Sequence, residues 1–326
     1  MLSAFLPGLN GLTRVEPDCE GALPKEALWL DLLDPTPADE KRLEAAFDIG
    51  IPTREEMREI ESSNRLYEDA GALFMTATVI TKLDSDLPES TQITFILTGT
   101  RLITVRYVDP LPFRRFIAHA ERHAASCSSG AAIFAGLLES IINRIADVLE
   151  RAGSALDSES AGIFAHTSPG RRRSASRDFR GILERLGQNG ELLSKSRESL
   201  VSLGRLLAFA QQQPTSFFTQ DVRARFRMLS RDVLAMSDHV SYLGNKVQFL
   251  LEATLGMVNI EQNAIIKIFS VAAVVLLPPT TIASVYGMNF HHMPELEWVA
   301  GYPFALGLMV VSAVLPYMWF KRKGWL

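Results

Sequence analysis

Apolar positions follow three different rhythms along this chain. Early on come short runs rich in β-branched and aromatic residues: "ALWLDLL" at 27–33, "ALFMTATVI" at 72–80, "TQITFILT" at 91–98 and "RLITVRYV" at 101–108. Such runs predict strands, and Gly99-Thr100 between the last two predicts a hairpin. Between the first two, stretches 36–47 and 53–62 each open on a threonine suited to cap a helix. Residues 1–108 therefore read as a small α/β layer.

From about residue 112 the rhythm becomes helical. Leu/Ala/Glu/Arg-rich stretches predict long helices at 130–165 and 174–212, broken near 167–170 and 213–215. No proline occurs over 215–277, and Leu229, Val233, Met236, Val240, Leu243, Val247 and Leu250 alternate spacings of four and three. That is a heptad seam, which predicts packing against other helices. At 1.5 Å per residue such a helix would run roughly 90 Å, longer than a single globular domain needs.

The last rhythm is continuous. Residues 268–294 contain no Asp, Glu, Lys or Arg, and a second charge-free stretch at 298–320 ends in Lys321-Arg322-Lys323. Trp298, Tyr302, Tyr317 and Trp319 stand near the ends of the second stretch, as interfacial aromatic residues do. Length, flanking aromatics and basic stop together predict two membrane spans rather than a buried helical hairpin. The opening "MLSAFLPGLNGLTRV" lacks the basic start and sustained apolar core of a signal peptide, so the first 260 or so residues are expected on the side of synthesis. Lys267 and the basic tail lie on one side, and the loop between the spans carries Glu295 and Glu297 without a base. The positive-inside rule then makes both termini cytoplasmic and the loop external. The expected organisation is an α/β/α cytoplasmic domain at 1–215, a stalk helix at 216–287 continuing into a first span from about 268, a loop at 288–298, a second span at 299–320 and a basic tail at 321–326.

Composition adds little beyond this. A net charge of −4 gives no footprint for nucleic acid. Cys19 and Cys127 lack metal-site spacing and read as reduced thiols. His119 and His123, four apart, have no third ligand in view, so an exposed helix face is favoured over a metal site. Arg171-Arg172-Arg173 reads as a solvated turn before it reads as a grip on anionic lipid.

The chemistry sits at the end of the stalk. Restarting the alternation one residue before the strict seam position gives Asn263, Ile266, Ser270, Ala273, Leu277, Thr280 and Ser284, a face of largely small or weakly polar residues. Polar atoms in lipid must face protein or water, so the stripe lines a pore or packs closely against another helix; spacing alone leaves both open. Two spans cannot enclose a water-filled path, so a conduit requires several copies around an axis. In that geometry Asn289 supplies a ring of amide oxygens at the outer mouth, suited to a hard, strongly hydrated cation such as Mg²⁺. Gly287 allows a sharp turn or close approach there, although Gly and Asn are also ordinary at helix ends.

"YGMNF" followed by "MPEL" between two C-terminal spans resembles the signature of the CorA family of magnesium and cobalt transporters. "IEQNAIIKIFSVAAVVLLPPTTIASVYGMNF", "GYPFALGLMVVSAVLPYMWFKRKGWL" and the opening "MLSAF" are similar to its bacterial members. The resemblance implies a funnel-shaped homopentamer in the bacterial inner membrane, with a selectivity ring at Gly287, Met288 and Asn289. It implies pore constrictions at Asn263, Ile266, Phe269, Leu277 and Thr280, and a basic rim at Lys321, Arg322 and Lys323. It also implies closure by cytoplasmic Mg²⁺ bound between subunits. The acid expected there is replaced by Met228, with Asp232 one turn on, so no sensor residues are assigned. His291 and His292 stand where an acid often follows "GMNF"; they are loop residues or softer nitrogen ligands.

The chain is therefore expected to be no enzyme but an Mg²⁺ influx channel, with Co²⁺ or Ni²⁺ as further cargo, driven by membrane potential. A Zn²⁺, Ni²⁺ or Co²⁺ transporter of the same architecture and a non-conducting membrane scaffold are the alternatives. No Gly-rich phosphate loop is visible.

Overall fold

The computed structural model describes residues 1–17, 23–82, 88–164, 178–289, 293–294 and 297–325. They form two compact units, Met1–Leu251 and Glu252–Leu326.

The first unit is built on a sheet of strands β1 (Leu2–Pro7), β2 (Leu12–Val15), β3 (Trp29–Leu33), β4 (Leu66–Asp69), β5 (Ala72–Thr81), β6 (Glu89–Thr98) and β7 (Arg101–Arg106). Their order is β2-β1-β3-β7-β6-β5-β4; β3 and β7 pair in parallel and every other neighbouring pair is antiparallel. The expected hairpin is β6–β7, with Gly99 at φ +56°, a conformation glycine adopts at little cost.

Helices follow as α1 (Pro37–Phe47), α2 (Ser62–Arg65), α3 (Leu111–Ala120), α4 (Gly130–Phe164), α5 (Phe179–Gln212), α6 (Gln220–Tyr286) and α7 (Gly301–Arg322). Thr36 caps α1 in a reciprocal box with Asp39. Thr53 and Glu56 form the same kind of box, Thr53 N–H donating to Glu56 Oε2 at 2.8 Å and Glu56 N–H to Thr53 Oγ1 at 3.3 Å. Yet the helix expected at 53–62 is a single 3₁₀ turn, Glu56–Arg58, followed by the short α2. Within that turn Met57 is the buried residue, and one apolar anchor does not sustain an amphipathic helix.

Alternation divides the sheet into two buried faces. Leu30, Leu32, Phe74, Ile96, Ile103 and Val105 pack with Leu43 of α1, Ile51 and Met57. On the other face Trp29 stacks on Phe5 at 4.2 Å and meets Phe113 of α3, while Phe95 meets Phe134 of α4 at 5.2 Å. Helices on both faces make the unit α/β/α. Asp31 and Arg106, in adjacent strands, form a buried pair at 2.7 Å. Thr104 donates to Asp31 at 2.6 Å and accepts from Trp29 Nε1 at 2.9 Å, closing the network. Burial disfavours the Arg106 charge, but the hydrogen bonds it donates to Asp31 and then Asp109 outweigh it and raise its pKa.

The heptad seam of α6 turns inward on the same chain. Leu229, Val233, Val240, Leu243, Val247 and Leu250 are buried and Met236 is half-buried. Val233 lies against Gly204 and Val247 against Gly190 of α5, and Leu243 against Gly153 of α4. Cys127 is buried at the end of the 3₁₀ turn Ala124–Cys127. His119 and His123 stack at 4.1 Å, with His123 Nδ1 on the His119 carbonyl at 3.0 Å. Cys19 and Arg171-Arg172-Arg173 lie outside the described residues.

Candidate ion pathway

In the second unit α6 and α7 are each long and apolar enough to cross a membrane. From residue 264 onward along α6, Val271 is buried and Ala264, Ser270, Val275, Pro278, Pro279, Ile282 and Tyr286 are half-buried, all but Ser270 lying on one side of the helix. On α7 the less exposed positions include Gly301, Ala305, Met309, Ser312, Pro316 and Phe320. Both sets recur at helical spacing, so each marks the less exposed face of its helix.

The predicted stripe occupies the far side of α6. At roughly 100° per residue, six of its seven positions, Asn263, Ile266, Ala273, Leu277, Thr280 and Ser284, together with Phe269 from the family resemblance, centre opposite the face that contains Val271. All seven are exposed in the single chain, Phe269 at 70% and Leu277 at 61%, whereas Ser270 is half-buried toward the edge of the stripe. Large apolar side chains beside small polar ones thus stand uncovered along one line.

Pro278 and Pro279 lie inside α6 and lack the N–H groups that the carbonyls one turn earlier would accept from. Just beyond, Thr280 Oγ1 donates to the Leu277 carbonyl at 2.8 Å and Thr281 Oγ1 to the same oxygen at 2.9 Å. The Thr280 proton is therefore held by its own helix. What the hydroxyl presents outward is lone pairs, which are acceptors only. The sequence reading named Thr280 but not this back-bonding, which the run Pro-Pro-Thr-Thr signals.

The helix ends at the predicted ring. Gly287 N–H donates to the Ala283 carbonyl at 3.0 Å and Met288 N–H to Val285 at 3.3 Å. Gly287 is not in the left-handed region, so it is no αL cap; a Cβ there would stand 3.2 Å from the Ala283 oxygen, a tight contact. Gly287, Met288 and Asn289 are exposed at the end of the stripe. Glu297 is exposed in the turn before α7, and His291, His292 and Glu295 lie outside the described residues. At the other end Lys321 and Arg322 close α7 and Lys323 follows as its cap, with Lys323 Nζ 5.7 Å from the Trp319 ring. Lys267 Nζ lies 5.9 Å from the Trp325 ring, which brings that lysine and the basic tail to the same end of the unit. Met228 and Asp232 are exposed one turn apart on α6. Among the described residues no three His, Cys, Asp or Glu side chains gather as a metal site.

Residues 24–322 match the family described as CorA-like Mg²⁺ transporter protein. The magnesium transport protein CorA of Mannheimia succiniciproducens is 34% identical over 326 residues, 100% of both chains. That of Salmonella typhimurium is 34% identical over 327 residues, again 100% of both. The complete structure of the CorA magnesium transporter from Methanocaldococcus jannaschii covers 100% of this chain and 99% of its own, with a TM-score of 0.77 at 18% identity. That likeness shows the same architecture: an N-terminal α/β unit, a long helix and two apolar C-terminal helices. With two helices able to span a bilayer and full-length relatives of this kind, the protein is a membrane protein, and the chain belongs to the CorA-like Mg²⁺ transporter family.

Proposed function

We propose that this protein is a homopentameric Mg²⁺ influx channel of the bacterial inner membrane, with both termini in the cytoplasm. Five α6 helices surround the axis, their stripes facing inward, and the α7 helices stand outside them toward lipid. The observation that carries this reading is the placement of the exposed stripe opposite the less exposed face of α6, running to Gly287-Met288-Asn289. A helix packed on one side and lined with small polar and bulky apolar groups on the other needs further copies to cover it.

Hydrated Mg²⁺ gathers at the acidic loop, where each copy contributes Glu295 and Glu297. The Asn289 carbonyls then accept hydrogen bonds from its water shell, selecting an ion that dehydrates reluctantly without trapping it. Entry is driven by the membrane potential: about 2.3 kcal/mol per charge at 100 mV is about 4.6 kcal/mol for a divalent ion. No enzymatic step is part of this reading. Phe269 and Leu277, the most exposed large apolar groups of the line, form a gate that closes by dewetting. Cytoplasmic Mg²⁺ bound between neighbouring copies favours the closed state, and its loss opens it. Co²⁺ and Ni²⁺ share the pathway, and the pair His291-His292 supplies the nitrogen ligands that a Zn²⁺- or Ni²⁺-carrying variant of it would use.

The test is divalent influx into proteoliposomes held at an inside-negative potential, with Mg²⁺, Co²⁺, Ni²⁺ and Zn²⁺ compared for the parent and for Asn289→Ala. The expected outcome is Mg²⁺ entry in the parent and loss of ion selection in the variant. Zn²⁺ or Ni²⁺ entry without Mg²⁺ would move the cargo to the histidine loop, and no flux at all would leave a membrane scaffold.

A further inference from the structure

Strand β4 pairs with β5 only over Ala72–Met75, so beyond Met75 the outer edge of β5 has no strand beside it. α5 takes its place: Ser202 Oγ accepts from the Thr78 backbone N–H at 2.9 Å. Where the strand stops and the helix takes over, a cleft of about 350 Å³ opens between the end of α2, β5 and α5. That is within the range of small-ligand sites.

Its lining is rich in donors. Arg65, Arg197 and Arg205 face it against the single carboxylate of Glu198, which itself accepts from Ser90 at 3.2 Å. Arg197, Glu198, Val201, Ser202 and Arg205 recur at three- and four-residue spacing, one face of α5. Neither Arg197 nor Arg205 has an ion-pair partner among the described residues. Arg65 donates through Nη1 to Thr78 Oγ1 at 3.1 Å and through Nη2 to the Met57 carbonyl at 3.3 Å. Its Nε is buried without a partner among the described residues. Because the Thr78 and Ser202 oxygens already accept, their hydroxyl protons remain to be donated. Burial lowers the Arg65 pKa, Glu198 opposes this and Arg205 adds to it, as expected where a second cation crowds a partly dry site.

We propose that this cleft binds a phosphate dianion, free or as a phosphomonoester, held by Arg65, Arg197 and Arg205 and oriented by the Thr78 and Ser202 hydroxyls. Guanidinium groups match phosphate oxygens in pairs, and a dianion would relieve the excess positive charge. The site lies wholly within the α/β/α unit and does not depend on the pore reading.

The experiment is calorimetric titration of the full-length protein in detergent, in Mg²⁺-free buffer at constant ionic strength, with inorganic phosphate and separately with adenosine monophosphate. Saturable binding is expected, weakened about tenfold or more in Arg197→Gln/Arg205→Gln through loss of charge-assisted hydrogen bonds. Arg180→Gln, an exposed change outside the cleft, should bind as the parent does. Tighter binding of the nucleotide would identify an ester as the ligand; equal or weaker binding would identify free phosphate. Absence of saturable binding, or equal binding by the double variant, would overturn the proposal. So would a parent that binds neither probe while the double variant changes subunit number, which would assign the cleft to a contact between copies.

Discussion

Asp31 is the one charged residue of the apolar strand β3 and Arg106 is the last residue of β7, and both side chains are 4% exposed. Removing one partner leaves the other charge buried without its counter-ion, which costs about 3–5 kcal/mol; replacing both with apolar residues costs far less. Asp31→Asn should therefore lower the thermal midpoint of the α/β/α unit by several degrees, with Asp31→Leu/Arg106→Met recovering much of the loss. Trp29 reports the event directly, because its Nε1 donates to Thr104, which donates to Asp31. With Trp298, Trp319 and Trp325 changed to Phe, its fluorescence melt isolates that unit. An unmoved transition in Asp31→Asn would show that the pair contributes nothing. Asp31 was visible in the sequence as the exception to its apolar strand. Its partnership with Arg106 was not, since it depends on the parallel pairing of β3 with β7 across 73 to 75 residues of intervening chain.

Elements were legible where local signals decide them. The cap at Thr36, the hairpin turn at Gly99-Thr100 and the helical spacing of α4 and α5 all act within a few residues, and the structure follows them. β1, β2 and β4 were not foreseen, and of the helix face expected to carry His119 and His123 only His119 lies in α3. β1 and β2 are joined across Gly8–Gly11, where Gly8 N–H donates to the Gly11 carbonyl at 2.7 Å, so the turn signal was present but the strands beside it are short. β4 owes its place to pairing with β5, a contact no local pattern encodes. The stripe on α6 was legible as spacing, but spacing could not say which face of the helix is the less exposed one; the burial of Val271 does. From that face follows the gate test. Substituting serine for both Phe269 and Leu277 wets the line, so Mg²⁺ influx measured at high internal Mg²⁺ should rise severalfold over the parent. An unchanged influx would remove these two side chains from the gate.

At the scale of the whole molecule the decisive quantity is the number of copies that share one path. Each chain contributes two apolar helices and leaves the stripe on α6 exposed. A path enclosed by α6 from every copy and a path confined to each copy predict different responses to mixing. If parent and Asn289→Ala chains co-assemble at random in equal amounts, a ring of five is wholly parental in only on the order of 3% of assemblies. When every amide oxygen of the ring is needed, Mg²⁺ selection at equal mixing should fall almost to the variant's level. Independent paths would instead lose half, and the loss would stay linear in the mixing ratio. Influx into proteoliposomes made from co-expressed, differently tagged chains separates the two curves, and native mass spectrometry of the same samples counts the copies. A linear curve would deny a shared Asn289 ring even if the assembly were pentameric, because five chains can associate without enclosing a common axis.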